Sequence, residues 1–233
     1  MNASPSTAAI ILAAGSSSRM GAGRHKLLLP LGDRPVLAHV IDATLTSQAR
    51  PIIIVLGHQA DLVRTQIAPY ATPPDITIIE NPNYLQGMST SMHAGIQALM
   101  GILHQQTWHH PQGVPLHFKA EPDSALIILG DQPFITPQII DTLIAARQTT
   151  GKRIVAPFYN GKRGNPILLE ASLFLELLEV TGDEGGRSIV EHHYQEMATV
   201  ELGDAMASYD VDTWEAYQQV LEAWQRKEGS SPR

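Results

Sequence analysis

Residues 8–30 read AAIILAAGSSSRMGAGRHKLLLP, and the division of this stretch decides the fold. Residues 8–13 form a short apolar run of the length of a buried strand. A loop of small residues follows (Ala14, Gly15, Ser16, Ser17, Ser18), then Arg19 and Lys26, and the stretch closes on Pro30. Small residues let backbone N–H groups approach an anion, and Gly15 tolerates a positive φ that side-chain-bearing residues resist. Successive N–H groups in such a turn make an anion-binding concavity. Arg19 and Lys26 add positive charge to it. The stretch is expected to be a triphosphate-binding loop after the first strand of an α/β domain.

Two other glycine-rich loops fail on spacing. A G-x-x-x-x-G-K-[ST] loop is excluded because Gly15 and Gly21 stand one residue too far apart and Leu27 follows Lys26. A G-x-G-x-x-G fingerprint starts at Gly21 and Gly23 but meets Lys26 where its third glycine belongs. The plain alternative is a glycine–serine turn without a ligand.

The remaining chain extends an α/β rhythm. Residues 35–48 place Val36, Leu37, Val40, Ile41 and Leu45 at helical spacing, with Pro35 suited to a first turn. Residues 51–56 are a β-branched run, as in a strand covered on both faces. Gly57 turns the chain into a helix over 59–67, and 75–79 is a third strand. Such alternation predicts a mostly parallel sheet with crossover helices and ligands at the carboxyl ends of its strands. Gly87, Ser89 and Ser91 precede Met92, Ile96, Leu99 and Leu103, the pattern of a capped helix start.

Residues 101–124 interrupt the rhythm as an expected surface insertion. Its adjacent His109 and His110 lack the spacing that points two imidazoles at one ion. After it, 125–129 is a buried strand from whose end Asp131 emerges beside Gly130. A carboxylate there, facing a phosphate loop, suits Mg²⁺, which binds through one or two carboxylates plus substrate phosphates. Capping of the next turn is the alternative.

A helix is expected over 137–149 and a strand over 153–159. Asn160-Gly161 signals a hairpin with return arm 162–169, and 171–180 reads as helix. Residues 181–187 repeat glycines, an arginine and a helix start, a second anion-favouring pattern. Residues 200–202 form a short strand. Asp212 or Thr213 caps a terminal amphipathic helix carrying Trp214, Tyr217, Val220, Leu221 and Trp224, with fraying from about residue 227.

Composition bounds the rest. A chain of 233 residues can bury a substantial core and one domain is expected, with halves at 8–100 and 125–226 around the insertion. A net charge of −7 argues against nucleic-acid and anionic-membrane surfaces. No apolar run approaches the roughly 20 residues of a membrane span, and the amino terminus lacks a signal-peptide pattern. There is no cysteine, hence no disulfide framework or thiolate chemistry, and a cytoplasmic setting is expected.

Taken together, LAAGSSSRMG, KLLLPLGDRPVLAHV, the N-P-x-x-x-x-G-M-x-x-S form beginning at Asn81, GDQP at 130–133, RGNP at 163–166 and D-x-D-T at 210–213 resemble the nucleotidyltransferases of molybdenum-cofactor maturation. The resemblance is greatest to the cytidylyltransferase branch, since guanylyl-transferring relatives tend to read LAGG and CDxP. It implies a three-layer α/β/α, Rossmann-like (GT-A-like) nucleotidyltransferase fold. It implies CTP as nucleotide substrate, bound by Leu12, Ala13, Ala14, Gly15, Ser16, Ser17, Arg19, Lys26, Gly57, Ser89, Ser91 and Gly130. It further implies Mg²⁺ held by Asp131 and Asp212, with Arg19, Lys26 and Asp131 as catalytic residues. The acceptor, the phosphate of molybdopterin, is expected at Gln132, Pro133, Arg163, Gly164, Asn165, Pro166, Asp183 and Arg187. A molybdenum hydroxylase would be the recipient of the product. Relatives place the lysine nearer the RMG glycine, which leaves open a phosphate contact from Arg24 beside Lys26. Other nucleotidyltransferases of this fold, a non-catalytic cofactor carrier and a nicotinamide-dependent oxidoreductase are the competing readings, the last weakened by the failed glycine fingerprint.

Overall fold

The computed structural model describes residues 6–21, 23–71, 76–103, 122–184, 186–203 and 205–229. The chain opens with β1 (Thr7–Ala13), a small hairpin of β2 (Pro30–Leu31) and β3 (Arg34–Pro35), and α1 (Val36–Thr46). It continues through β4 (Ile52–Leu56), α2 (Ala60–Ile67), β5 (Ile76–Glu80), α3 (Met88–Leu103) and β6 (Ser124–Leu129). Next come α4 (Pro137–Thr150), β7 (Ile154–Tyr159), β8 (Lys162–Arg163), β9 (Ile167–Glu170) and α5 (Phe174–Leu177). The last elements are α6 (Arg187–His192), β10 (Met197–Leu202) and α7 (Trp214–Gly229).

Among the described residues one eight-stranded sheet runs β10-β7-β9-β6-β1-β4-β5, with β8 beside β7. β1 lies parallel between β4 and β6. Its edges are thus paired and helices cover both faces, so all of its residues are buried. Ala9, Ile11 and Ala13 point into one cluster with Leu37 of α1, Val63 of α2 and Leu143 of α4. Ala8, Ile10 and Leu12 point into the opposite one with Ile96 of α3, Phe174 of α5 and Val190 of α6. This period-two division is what a parallel strand requires. The layers are α/β/α and the sheet mostly parallel, as the sequence predicts. A third cluster joins α7 to β2 and the turn after β6 through Leu31, Phe134, Val211, Tyr217 and Val220.

Several expectations are corrected. The return arm after Asn160 is not one strand. Asn160 (φ 50°) and Gly161 (φ 73°) do make the two-residue turn, the backbone signature of a type I′ hairpin. The arm then breaks at Gly164-Asn165-Pro166, where proline has no N–H to pair. β9 resumes antiparallel between β6 and β7. The strand foreseen at 200–202 begins at Met197, the helix foreseen at 171–180 shrinks to α5 after a 3₁₀ turn, and α7 continues to Gly229. Of the expected insertion, α3 extends to Leu103 and β6 begins at Ser124. Residues 104–121, with Trp108, His109, His110 and His117, lie outside the described residues. No helix among the described residues is long and apolar enough to cross a membrane.

α3 seats closely on β1 and β4 because it lacks a side chain at Gly95, where a Cβ would stand 2.4 Å from Ile10 Cγ2. Gly95→Ala is therefore expected to destabilise the fold by about 1–3 kcal/mol through overpacking. In thermal unfolding this lowers Tm by roughly 2–4 °C per kcal/mol for a chain of this size. An unchanged Tm would show that the helix can shift outward without loss.

Candidate active site

The sheet register sets the site. Leu12 lies level with Val55 of β4 and with Leu129 of β6, so the loops after these strands emerge side by side. Two glycines bring them into contact. Gly130 N donates to Leu12 O at 2.9 Å, and a Cβ there would meet that oxygen at 3.1 Å. At Gly57 a Cβ would lie 2.7 Å from Ala14 Cβ and 2.8 Å from Ala14 O. His58 N donates to the same Ala14 carbonyl at 3.1 Å.

The first loop folds on itself at Ser17, which takes a left-handed backbone (φ 55°). Ser17 O accepts from Met20 N at 3.0 Å, and Ser17 Oγ accepts from Lys26 N at 3.1 Å. This pins the start of the lysine turn under the small-residue loop, and Lys26 Cε passes beneath Gly15. From the far end of the chain, Val211 N donates to Asp131 O at 3.0 Å. Thr213 Oγ1 accepts from Ala216 N at 3.1 Å, which makes Thr213 the cap of α7 and leaves the Asp212 carboxylate unused by the helix. Tyr217 donates its hydroxyl proton to Pro30 O at 2.6 Å and anchors the helix to β2.

Arg19, Lys26, Asp131 and Asp212 meet here. Lys26 Nζ lies 2.5 Å from Asp131 Oδ2 and 2.6 Å from Asp212 Oδ1, while Arg19 donates to Asp212 Oδ2 at 3.2 Å. Lys26 and Asp131 are only 12% and 14% exposed, against 39% for Asp212 and 73% for Arg19. Cations and acids have gathered from three separated segments at the carboxyl edge of the sheet.

A family model described as a MobA-like NTP transferase domain matches residues 9–197. This chain belongs to that family. It is a MobA-like nucleotidyltransferase, and the cluster around Lys26 is its candidate active site. The chain is 30% identical over 206 residues to the molybdenum cofactor cytidylyltransferase of Escherichia coli (strain K12), covering 88% of this chain and 90% of that protein. A nucleotidyl transferase from Methanothermobacter thermautotroptrophicus superposes with a TM-score of 0.74 at 20% identity, covering 95% of this chain and 99% of that one. The manganese complex of Rv0371C from Mycobacterium tuberculosis H37Rv superposes with a TM-score of 0.69 at 24% identity, covering 94% and 99%.

Charge coupling in this MobA-like site is strong. Burial works against the ammonium of Lys26, but the carboxylate of Asp131 and then that of Asp212 outweigh it and hold Lys26 above the ordinary lysine range. Partial burial pushes Asp212 upward; its bond to Lys26, the charge of Lys26 and that of Arg19 reverse this and hold it below the aspartate range. Asp210 stands at the rim. Partial burial of its carboxyl, with the negative charges of Asp131 and Asp212, pushes it upward. Sequence reasoning missed Asp210 as a third acid. The available signal was Asp-Val-Asp spacing, with Val211 the buried residue between two acids.

Other expected site residues fall elsewhere. Arg24 does not join Lys26: its guanidinium stacks over Trp214 at 4.1 Å and donates to Met20 O at 3.4 Å. Ser89 and Ser91 lie inside the first turn of α3, buried, and Ser91 Oγ accepts from Asn81 Nδ2 at 3.0 Å. Asp183 serves the same helix, accepting from Met88 N at 3.2 Å. Gln132 and Pro133 are buried in the turn behind Asp131. Arg163, Gly164, Asn165 and Pro166 span the break between β8 and β9, where Tyr159 donates to Asn165 O at 3.1 Å. Arg187 opens α6 with its side chain 71% exposed. Among the described residues no hydrogen bond joins this second set to the Lys26 cluster.

The depressed pKa of Asp212 has a pH signature. Its contribution to stability is complete above the ordinary aspartate value of about 3.9 and fades as pH falls through the lower folded value. Lys26 is the mirror image, contributing fully below about 10.4 and losing that contribution as pH rises through its raised value. Asp212→Asn should cost about 0.5–1 kcal/mol at neutral pH, the scale of a pair open to solvent. The Tm gap between variant and parent should close on acidification below pH of about 4. A gap that stays constant down to acid pH would contradict the pairing.

Proposed function

We propose that this MobA-like nucleotidyltransferase transfers CMP from CTP to the phosphate of molybdenum-bound molybdopterin, with Mg²⁺, releasing pyrophosphate. The observation that carries the reading is the convergence of Arg19, Lys26, Asp131 and Asp212 beside the loop of Ala14, Gly15, Ser16 and Ser17. Similarity to the Escherichia coli molybdenum cofactor cytidylyltransferase supports the substrate pair. So do the Ala14 and Gly130–Pro133 forms, which resemble the cytidylyl branch.

The donor set fits a hard divalent cation. Asp131 and Asp212 direct carboxylate oxygens at one point and already share a cation there, the ammonium of Lys26. All-oxygen donors beside a phosphate site match the preference of Mg²⁺, and the manganese complex of a structural neighbour points to the same class of ion. Asp131 and Asp212 would hold the ion, with Asp210 adding charge at the rim. When bound, Mg²⁺ neutralises triphosphate charge and aids departure of pyrophosphate. The chain's own residues do the rest. N–H groups of the first loop cradle phosphate oxygens, and the exposed guanidinium of Arg19 reaches the same anion. Lys26 gives its charge to the triphosphate in place of the acids it holds in the free protein. The acceptor phosphate has a second pKa near about 6 and arrives mostly dianionic, so no general base is required. Arg163 and Arg187 are assigned to hold it, with Asp183 acting through α3. The downstream recipient of the product would be a molybdenum hydroxylase.

Pyrophosphate release measured with CTP and with GTP, each with the pterin acceptor, tests the substrate assignment. CTP should be the faster nucleotide, and an equal or faster rate with GTP overturns the choice. Asp131→Asn should lower turnover by roughly 10²-fold or more, with circular dichroism at assay temperature showing the fold retained even though Tm falls with loss of the Lys26 pair. Lys26→Met should act in two directions: weaker CTP binding, and tighter Mn²⁺ binding without nucleotide, because no ammonium then occupies the two carboxylates. Calorimetric titration of each ligand reads both, and Mn²⁺ affinity equal to the parent's would refute the shared position.

A further inference from the structure

A second cluster of metal-ligating side chains lies in the layer of α5 and α6, and the reaction above does not use it. Glu176 on α5, His192 at the end of α6 and the following His193 place three ligand atoms within 4.8 Å of one another. We propose that they form a zinc-class site, separate from the all-oxygen cluster at Lys26.

The ring of His193 carries the inference. It is largely buried (13% exposed) and has a carboxylate at each nitrogen. Nδ1 is 2.9 Å from Glu196 Oε1, and Nε2 is 2.7 Å from Glu176 Oε2. A neutral imidazole has one proton to donate. With Nδ1–H donated to Glu196, Nε2 turns its lone pair toward Glu176 Oε2, and a cation between these two atoms would satisfy both. That arrangement is the outer-carboxylate pattern that orients metal-bound imidazoles.

The surroundings are built for it. Arg153 NH1 donates to both oxygens of Glu196, at 3.2 and 3.0 Å, and fixes the outer carboxylate. His193 N donates to Ile189 O at 2.9 Å, and Glu196 N donates to His193 O at 2.8 Å, which holds ring and acid in one turn. Adjacent histidines on one regular element point apart, but α6 ends at His192, and its exposed ring stands 4.9 Å from that of His193 with a ligand atom of each within reach of the other. A cavity of about 410 Å³, lined by Glu176, Glu179, Ser188 and His192 among others, opens beside the donors and leaves room for a water ligand. Two imidazoles and one carboxylate suit Zn²⁺ rather than Mg²⁺, which prefers oxygen donors. The bound ion would tie the end of α6 to α5.

The test is ZnCl₂ titration of the full, chelator-treated chain against a chromophoric zinc chelator, in parent, His192→Asn, Glu176→Gln and Glu196→Gln. His192 is exposed, so its replacement leaves packing intact, and circular dichroism checks the fold of each variant. The parent should bind zinc, His192→Asn and Glu176→Gln should weaken it at least tenfold, and Glu196→Gln should weaken it about 10–100-fold through the outer bond. Excess MgCl₂ should not displace the ion. No zinc uptake by the parent overturns the proposal and leaves a doubly protonated His193 between two acids. Equal affinity in His192→Asn and Glu176→Gln also overturns it, because the zinc then sits on other histidines.

Discussion

The ammonium of Lys26, held between Asp131 and Asp212, is the contact on which the arrangement turns. Two carboxylates directed at one point repel each other, and in a partly buried setting that repulsion is poorly screened. A positive charge must lie between them, and in the free protein Lys26 supplies it. The scaffold exists to bring these groups together. The register of β4, β1 and β6 aligns the loops, the missing side chain at Gly130 lets Asp131 leave β6 against Leu12, and the bond from Val211 to Asp131 delivers Asp212. Under the proposed function the same placement makes the lysine a competitor for any ion the acids would take up, which would link phosphate binding to metal binding.

How much of this was legible depends on how local the information is. The strand–loop–strand rhythm, the glycine–serine turn, Asp131 past its strand and the Asn160-Gly161 turn are written in a few adjacent residues. Hydrophobic period and turn chemistry are enough to read them. β9 is different. Nothing between residues 162 and 170 says that the arm will leave β8 and insert between β6 and β7. That choice is made by strands up to some forty residues earlier in the chain, which offer an open edge. Whether Arg24 joins Lys26 stayed open for the same reason, since its partner Trp214 belongs to α7. Asp183 lies in a glycine-rich, anion-favouring stretch, and the fold adds what the stretch alone does not say, that its carboxylate accepts from Met88 N at the start of α3.

Family membership and substrate choice rest on different residues. Under the proposed function the cation–acid cluster would suit any nucleoside triphosphate, because its partners would be phosphate and metal. Discrimination between bases must come from the walls. Ala14 is a candidate part of them: it is buried, and it occupies the space that a side chain at residue 57 would need. A change at 14 therefore moves the loop after β4 as well as the first loop. Residue 14, where the sequence resembles the cytidylyl branch, is thus coupled through packing to the loop after β4.

The strap that carries Asp212 is tied to Asp131 through Val211 and, through Tyr217, to Pro30 near the chain's beginning. Translation delivers Lys26 and Asp131 well before it delivers either tie. During synthesis the lysine and the first acid must wait as an incomplete pair while the sheet assembles around them. The cluster around Lys26 is complete only when residues 211–217 lie against the turn after β6 and against β2. Every strand of the described sheet precedes residue 210, so a chain cut there would carry all of them yet lack Asp212 and both ties.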